Sequence, residues 1–251
     1  MKLPLYFDYR YLDLGSKVPI GIDFDIHPSG LIVGSTGSGK SFALALIAAR
    51  ISLYLSDARL VICDFKNASF AFLSGLSGYY GYTAAVDGIV RVYEEMQTRL
   101  TLNDESRNRR KLFLLVDEYA ALIMFLPKKE ADSVKQMVAS ILMLGRSLGV
   151  HLLIGMQRAD SEFFRSGARD QFGMILALGN LSKEQQGMLF PDHRDQLRSV
   201  VNQRGEGFLF LDGKGLYRVR VPTVRDPARL HRLIASRLWD GDPGDGSEGE
   251  A

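Results

Sequence analysis

Residues 31–41 read LIVGSTGSGKS, three apolar residues followed by a glycine-rich turn, Lys40 and Ser41. From Gly34 to Ser41 the stretch fits G-x-x-x-x-G-K-[ST] in full, as Gly34-Ser35-Thr36-Gly37-Ser38-Gly39-Lys40-Ser41. Glycines at these places let successive backbone N–H groups turn inward and cradle phosphate oxygens, and the positive end of the following helix faces them. Lys40 would neutralise β/γ-phosphate charge and the Ser41 hydroxyl would ligate Mg²⁺. An apolar strand precedes the turn, and an Ala/Leu/Ile-rich helix from Lys40 to about Leu55 follows it. The pattern predicts a nucleotide site.

Outward from that loop the chain alternates strands and helices. RLVICDF (59–65), KLFLLVDEY (111–119), VHLLIGM (150–156) and MILAL (174–178) are apolar on both faces, as buried parallel strands are. Between them lie an amphipathic helix over 86–102 and a long helix around 130–147. SKEQQGML (182–189) reads as a short helix capped by its serine. GEGFLFLDG and LYRVRV form a terminal hairpin, and DPARLHRLIASRLW closes the chain as a helix. The alternation predicts an α/β fold, a mostly parallel sheet flanked by helices. Residues 1–30 are expected to be a short β lead-in, 31–238 the main domain, and 239–251 a disordered acidic tail.

The chain of 251 residues carries a net charge of +2. The tail holds Asp240, Asp242, Asp245, Glu248 and Glu250 without Lys or Arg, so the remaining body is more basic, at +7. That balance suits a nucleic-acid partner or a mildly basic enzyme equally. A single cysteine, Cys63, excludes an internal disulfide and fits a reducing compartment. No apolar run approaches the ~20 residues of a membrane span. MKLPLYFDYR is not a secretory leader, and a cytoplasmic location is expected.

LFLLVDEY ends in Asp117-Glu118. In a phosphate-loop protein, Asp117 would hold Mg²⁺ and Glu118 would orient or deprotonate the attacking water. An adjacent glutamate favours hydrolysis over phosphate transfer to a metabolite; the alternative is a helix cap and a solvated charge. CDFK places Asp64 and Lys66 at the sheet edge that carries the loop. Gln157, at the end of VHLLIGM, is either a sensor of the γ-phosphate or an exposed turn residue.

Together, GSTGSGKS (34–41), DFK (64–66), LVDEYAAL (115–122) and GRSLGVHLLIGMQRA (145–159) resemble the FtsK/SpoIIIE-type DNA translocase ATPases of the HerA/FtsK superfamily, which includes the conjugative coupling proteins. The resemblance is firm over residues ~30–160. It implies a RecA-like P-loop NTPase fold and ATP hydrolysis with Mg²⁺, coupled to movement of double-stranded DNA through a hexameric ring. Gln157 becomes the γ-phosphate sensor, and Arg146 a candidate for the arginine supplied to a neighbouring subunit's nucleotide. Service in conjugation, or alongside membrane-anchored or relaxase-type partners, would follow. Phe65 stands where the family usually has Pro, Gly155-Met156 replaces Ala-Thr, and Ala159 replaces Pro. No winged-helix segment or membrane anchor is evident, as in a minimal motor or a piece of a longer protein. RNRRK (107–111) and Lys128-Lys129 are either phosphate contacts or solvated charges. The tyrosines at 79, 80 and 82 form either a binding loop or a packed one. A related ATPase that engages a protein partner is the alternative function.

Overall fold

The computed structural model describes residues 1–102, 110–164, 167–197 and 200–241. Most of the basic run at 107–111 and nearly all of the acidic tail lie outside the described residues. The strands are β1 (Leu3–Asp8), β2 (Pro19–Ile22), β3 (Ser29–Gly34), β4 (Arg59–Asp64), β5 (Tyr79–Gly81), β6 (Leu112–Asp117), β7 (Val150–Met156), β8 (Met174–Leu178), β9 (Glu206–Leu211) and β10 (Gly215–Arg220). The helices are α1 (Tyr9–Leu12), α2 (Lys40–Tyr54), α3 (Ala85–Thr101), α4 (Tyr119–Phe125), α5 (Lys128–Leu144), α6 (Lys183–Leu189), α7 (Arg194–Leu197) and α8 (Pro227–Ala235).

The strands make one ten-stranded sheet in the order β2-β1-β10-β9-β8-β3-β7-β6-β4-β5. The six from β8 to β5 are parallel, and β9, β10, β1 and β2 extend the sheet in antiparallel fashion. The predicted terminal hairpin is β9–β10, and the lead-in strands β1 and β2 join it in the same sheet.

Alternate residues of each central strand serve opposite faces, as the period of two requires. Leu31, Val33, Val61, Leu114 and Ile154 pack on one side with Val92 and Met96 of α3 and Val138 of α5. Ile32, Ile62, Phe113 and Leu153 pack on the other with Leu44 and Ile47 of α2 and Ile234 of α8. Because both faces are covered, the central strands carry no polar alternation.

Local chemistry ends the elements. Ser182 and Gln185 form a capping box at the start of α6. Asp226 accepts from the Arg229 N–H, with Pro227 at the first position of α8. Pro127 separates α4 from α5, so the helical segment after β6 begins earlier than its sequence pattern predicts and is broken in two. Among the described residues no helix is long and apolar enough to cross a membrane.

The register brings the carboxyl ends of the parallel strands to one edge. Asp64 of β4 lies level with Asp117 of β6, and Val33 of β3 with Met156 of β7. The turn after β3 therefore meets the ends of β4, β6 and β7, the usual place for a ligand in an open α/β sheet.

Candidate active site

The turn from Ser35 to Gly39 passes from β3 into α2. Ser35 O accepts from the Ser38 N–H at 3.1 Å. Gly39, which opens α2, has φ of 101°, a left-handed conformation that disfavours any residue with a Cβ. The N–H groups of the first helical turn have no partners within the helix, and together with the helix dipole they favour an anion.

Lys40 is only 5 % exposed. Its Nζ is ion-paired to Asp117 Oδ1 and lies 3.0 Å from Glu118 Oε1. Lys66 Nζ lies 3.0 Å from Glu118 Oε2, to which Gln157 Nε2 also donates at 3.4 Å. Both carboxylate oxygens of Glu118 are thus engaged. Glu118 begins α4 with φ of 59° and makes no side-chain cap, so the helix-cap alternative for this residue does not hold. It is buried, which also excludes a solvated charge.

Space under this cluster comes from Gly155. A Cβ there would stand 2.5 Å from Leu44 Cδ1 and 2.7 Å from Asp117 Oδ1. The Gly155 departure from the family pattern therefore makes room for the Lys40–Asp117 pair. Asp64 is fully buried and accepts from the N–H groups of Ala68 and Phe70, at 3.0 and 2.8 Å. Burial lifts its carboxyl above the usual carboxylate range. The Phe70 N–H works against that rise, and the charge of Asp117 adds to it. Asp64 thus shapes the loop that carries Lys66 and reaches the cleft through it.

The cleft is lined by Ser35, Thr36, Lys40, Ser41, Lys66, Glu118 and Gln157. Two further residues complete it that carry no motif, Phe42 and Arg204. Arg204 arrives on the turn before β9, which is fastened to the phosphate loop by the Gly205 N–H donating to Ser38 O at 2.9 Å. Its only sequence signal is the glycine after it. Arg146 is exposed and precedes β7, at the opposite edge of the sheet. Seven residues of strand, about 20 Å, separate it from its own cleft.

The donor set suits a nucleoside triphosphate with Mg²⁺. The buried Asp117 Oδ2 and Ser38 Oγ make no hydrogen bond, and Lys40 is drawn onto the carboxylates it would leave for a phosphate. Ser41 and Asp117 offer hard oxygens, which with phosphate oxygens satisfy Mg²⁺. Among the described residues no group of three His, Cys, Asp or Glu could hold a metal unaided, and a phosphate-bridged Mg²⁺ needs none.

Known proteins resemble this chain in sequence and in fold. Residues 11–68 match the family model described as the central domain of helicase HerA. The FtsK domain-containing protein YdcQ of Bacillus subtilis is 32 % identical over 203 residues, spanning 75 % of this chain and 41 % of that protein. DNA translocase SftA of Bacillus subtilis is 29 % identical over 173 residues, 59 % of this chain and 18 % of its own. The ESX secretion system protein EccC of Thermomonospora curvata is 29 % identical over 194 residues, 59 % of this chain and 14 % of that protein. The solved cytoplasmic domain of that secretion ATPase superposes with a TM-score of 0.69 at 22 % identity, covering 96 % of this chain and 31 % of the other. The chain spans less than half the length of each of these relatives.

Proposed function

Because the chain is a P-loop ATPase domain of the HerA/FtsK type, we propose that it hydrolyses ATP to drive movement of double-stranded DNA, as a cytoplasmic ring of like subunits. The observation that carries the hydrolytic part is the convergence of Lys40, Asp117, Glu118 and Gln157 on one phosphate loop. The loop N–H groups and Lys40 hold the β- and γ-phosphates. Bound Mg²⁺, held by Ser41 and Asp117, would offset charge on the phosphate oxygens. Glu118 orients the attacking water and accepts its proton, while Gln157 donates to the γ-phosphate or to that water. Arg146, too far to serve its own cleft, is available to a neighbour's nucleotide.

Kinship with SftA, named a DNA translocase, supports duplex DNA as the track. The similarity to EccC supports a second reading, in which the same motor engages a polypeptide. The deciding experiment is the steady-state ATPase rate with linear duplex DNA, single-stranded DNA, a polypeptide and no polymer, with Glu118→Gln as the blank. A rise specific to duplex DNA and lost in the blank is expected. A rise with polypeptide alone would transfer the assignment to the second reading, and a DNA-indifferent monomer would exclude a DNA motor.

A further inference from the structure

Among the described residues three non-glycine residues have positive φ: Asn67 at 49°, Tyr82 at 52° and Glu118 at 59°. Asparagine visits this region readily, but Tyr82 and Glu118 held there are strained, and such strain persists only where its surroundings impose it. All three meet at one place. Glu118 is ion-paired to Lys66, the residue before Asn67. The Tyr82 ring stacks on Phe65, the residue before Lys66, with centroids 5.5 Å apart and planes 23° off parallel. Phe125, at the end of the helix that Glu118 begins, closes a triangle with both rings at 5.4 and 5.5 Å.

The turn 65–67 is thereby clamped at both ends. Asp64 accepts from the backbone after it, and the Tyr79 hydroxyl donates to Asn67 Oδ1 at 2.7 Å. Of its three side chains, Phe65 is spent on the aromatic triangle, Lys66 on Glu118 and Asn67 on Tyr79. The triangle itself is open to solvent, with Tyr82 and Phe125 each 51 % exposed.

We propose that Lys66 is a restraint on the base rather than a phosphate ligand. The aromatic triangle of Phe65, Tyr82 and Phe125 seats Lys66 on Glu118, and turnover stays low until the turn 65–67 shifts. The proposal rests on Glu118 being the base, as assigned above. Nucleotide draws Lys40 away to the phosphates and so frees one oxygen of Glu118. Lys66 is fixed through its own turn and keeps the other. Lys66 acts through Glu118 and is therefore a positioning residue.

Lys66→Met in the full chain is expected to raise kcat for ATP about two- to five-fold, the size of one half-exposed ion pair, with KM unchanged. Lys66→Arg should stay near wild type. Tyr82→Ala, which unseats Phe65, should reproduce the rise and add nothing to it in the double variant. A fall in kcat, an unchanged kcat or a raised KM would overturn the restraint. A readout independent of hydrolysis is the acetylation rate of Lys66, followed by mass spectrometry without nucleotide. Glu118→Gln should speed it by a similar factor, and equal rates would overturn the proposal. Retained hydrolysis in Glu118→Gln would instead strike at Glu118 as the base, so the two failures differ.

Discussion

Lys40 stands between two carboxylates in a place that water scarcely reaches, and this changes how the usual inactivating substitution behaves. Removing one member of a buried pair leaves the other charge uncompensated, at about 3 kcal/mol or more. Lys40→Ala should therefore lose stability as well as nucleotide binding, and urea denaturation will show a lowered midpoint. Glu118→Gln keeps the shape and the Lys40–Asp117 pair, so its midpoint should stay near wild type while hydrolysis disappears. A second residue sets the acid limit. His151 is stacked on Phe113 at 4.4 Å, and burial pushes its imidazole down from 6.5 to about 4. Between those values the unfolded chain binds the proton and the folded chain does not. Stability is thus complete above pH 6.5 and falls at about 1.4 kcal/mol per unit as pH drops toward 4, about 3 kcal/mol in all. Burial lowers His27 in the same direction, while the lifted Asp64 works in the opposite one. Comparing His151→Phe with wild type at pH 7 and pH 5 isolates the contribution, and the substituted chain should show the shallower slope.

The turn that precedes β9 brings Arg204 to the phosphate loop, and among the described residues no other from the antiparallel half of the sheet lines the cleft. Arg204→Ala should raise KM for ATP about three- to ten-fold, the loss of one charge-assisted contact, with little change in kcat. Steady-state kinetics over a range of ATP concentrations will tell. The sequence leaves this residue unmarked for a physical reason. Gly34 to Ser41 and Asp117-Glu118 are legible because each signal is contiguous and sits where an apolar strand stops. Arg204 is far along the chain and reaches the loop only through the hydrogen bond from Gly205 to Ser38. The Lys66–Glu118 contact was equally hidden. It depends on β4 and β6 being neighbours in register, and strand order is not written in local periodicity. β5 has three residues among glycines, too few to show an alternation, yet it seats Tyr79 beside Asn67. Five of the six parallel strands, β3, β4, β6, β7 and β8, were plain from their apolar runs, since both their faces are buried, and so was the hairpin β9–β10. Helix α4 was not, because it is only seven residues long, follows β6 after the single residue Glu118, and stops just before Pro127.

Across the whole molecule the sheet has two unlike edges, the cleft at one and Arg146 at the other. A contact joining unlike edges is heterologous and closes a ring only if its rotation closes. If Arg146 serves the neighbour's cleft, chains bearing Arg146→Ala and chains bearing Glu118→Gln should each be inactive alone. Mixed in equal amounts, they should regain part of the duplex-stimulated rate, because some clefts then pair an intact Glu118 with an intact Arg146. An inactive mixture would place Arg146 outside the chemistry. The sheet's far side has a different consequence, one of timing. Within this sheet β1 is made before the strands that follow it, yet it lies between β2 and β10, with Phe7 opposite Arg220. At ~5–20 residues per second of synthesis, the ribosome needs roughly ten to forty seconds to deliver that partner. During this interval the edge of β1 that β10 will cover keeps its backbone groups unpaired, and the nascent chain is most exposed to mispairing and to chaperones.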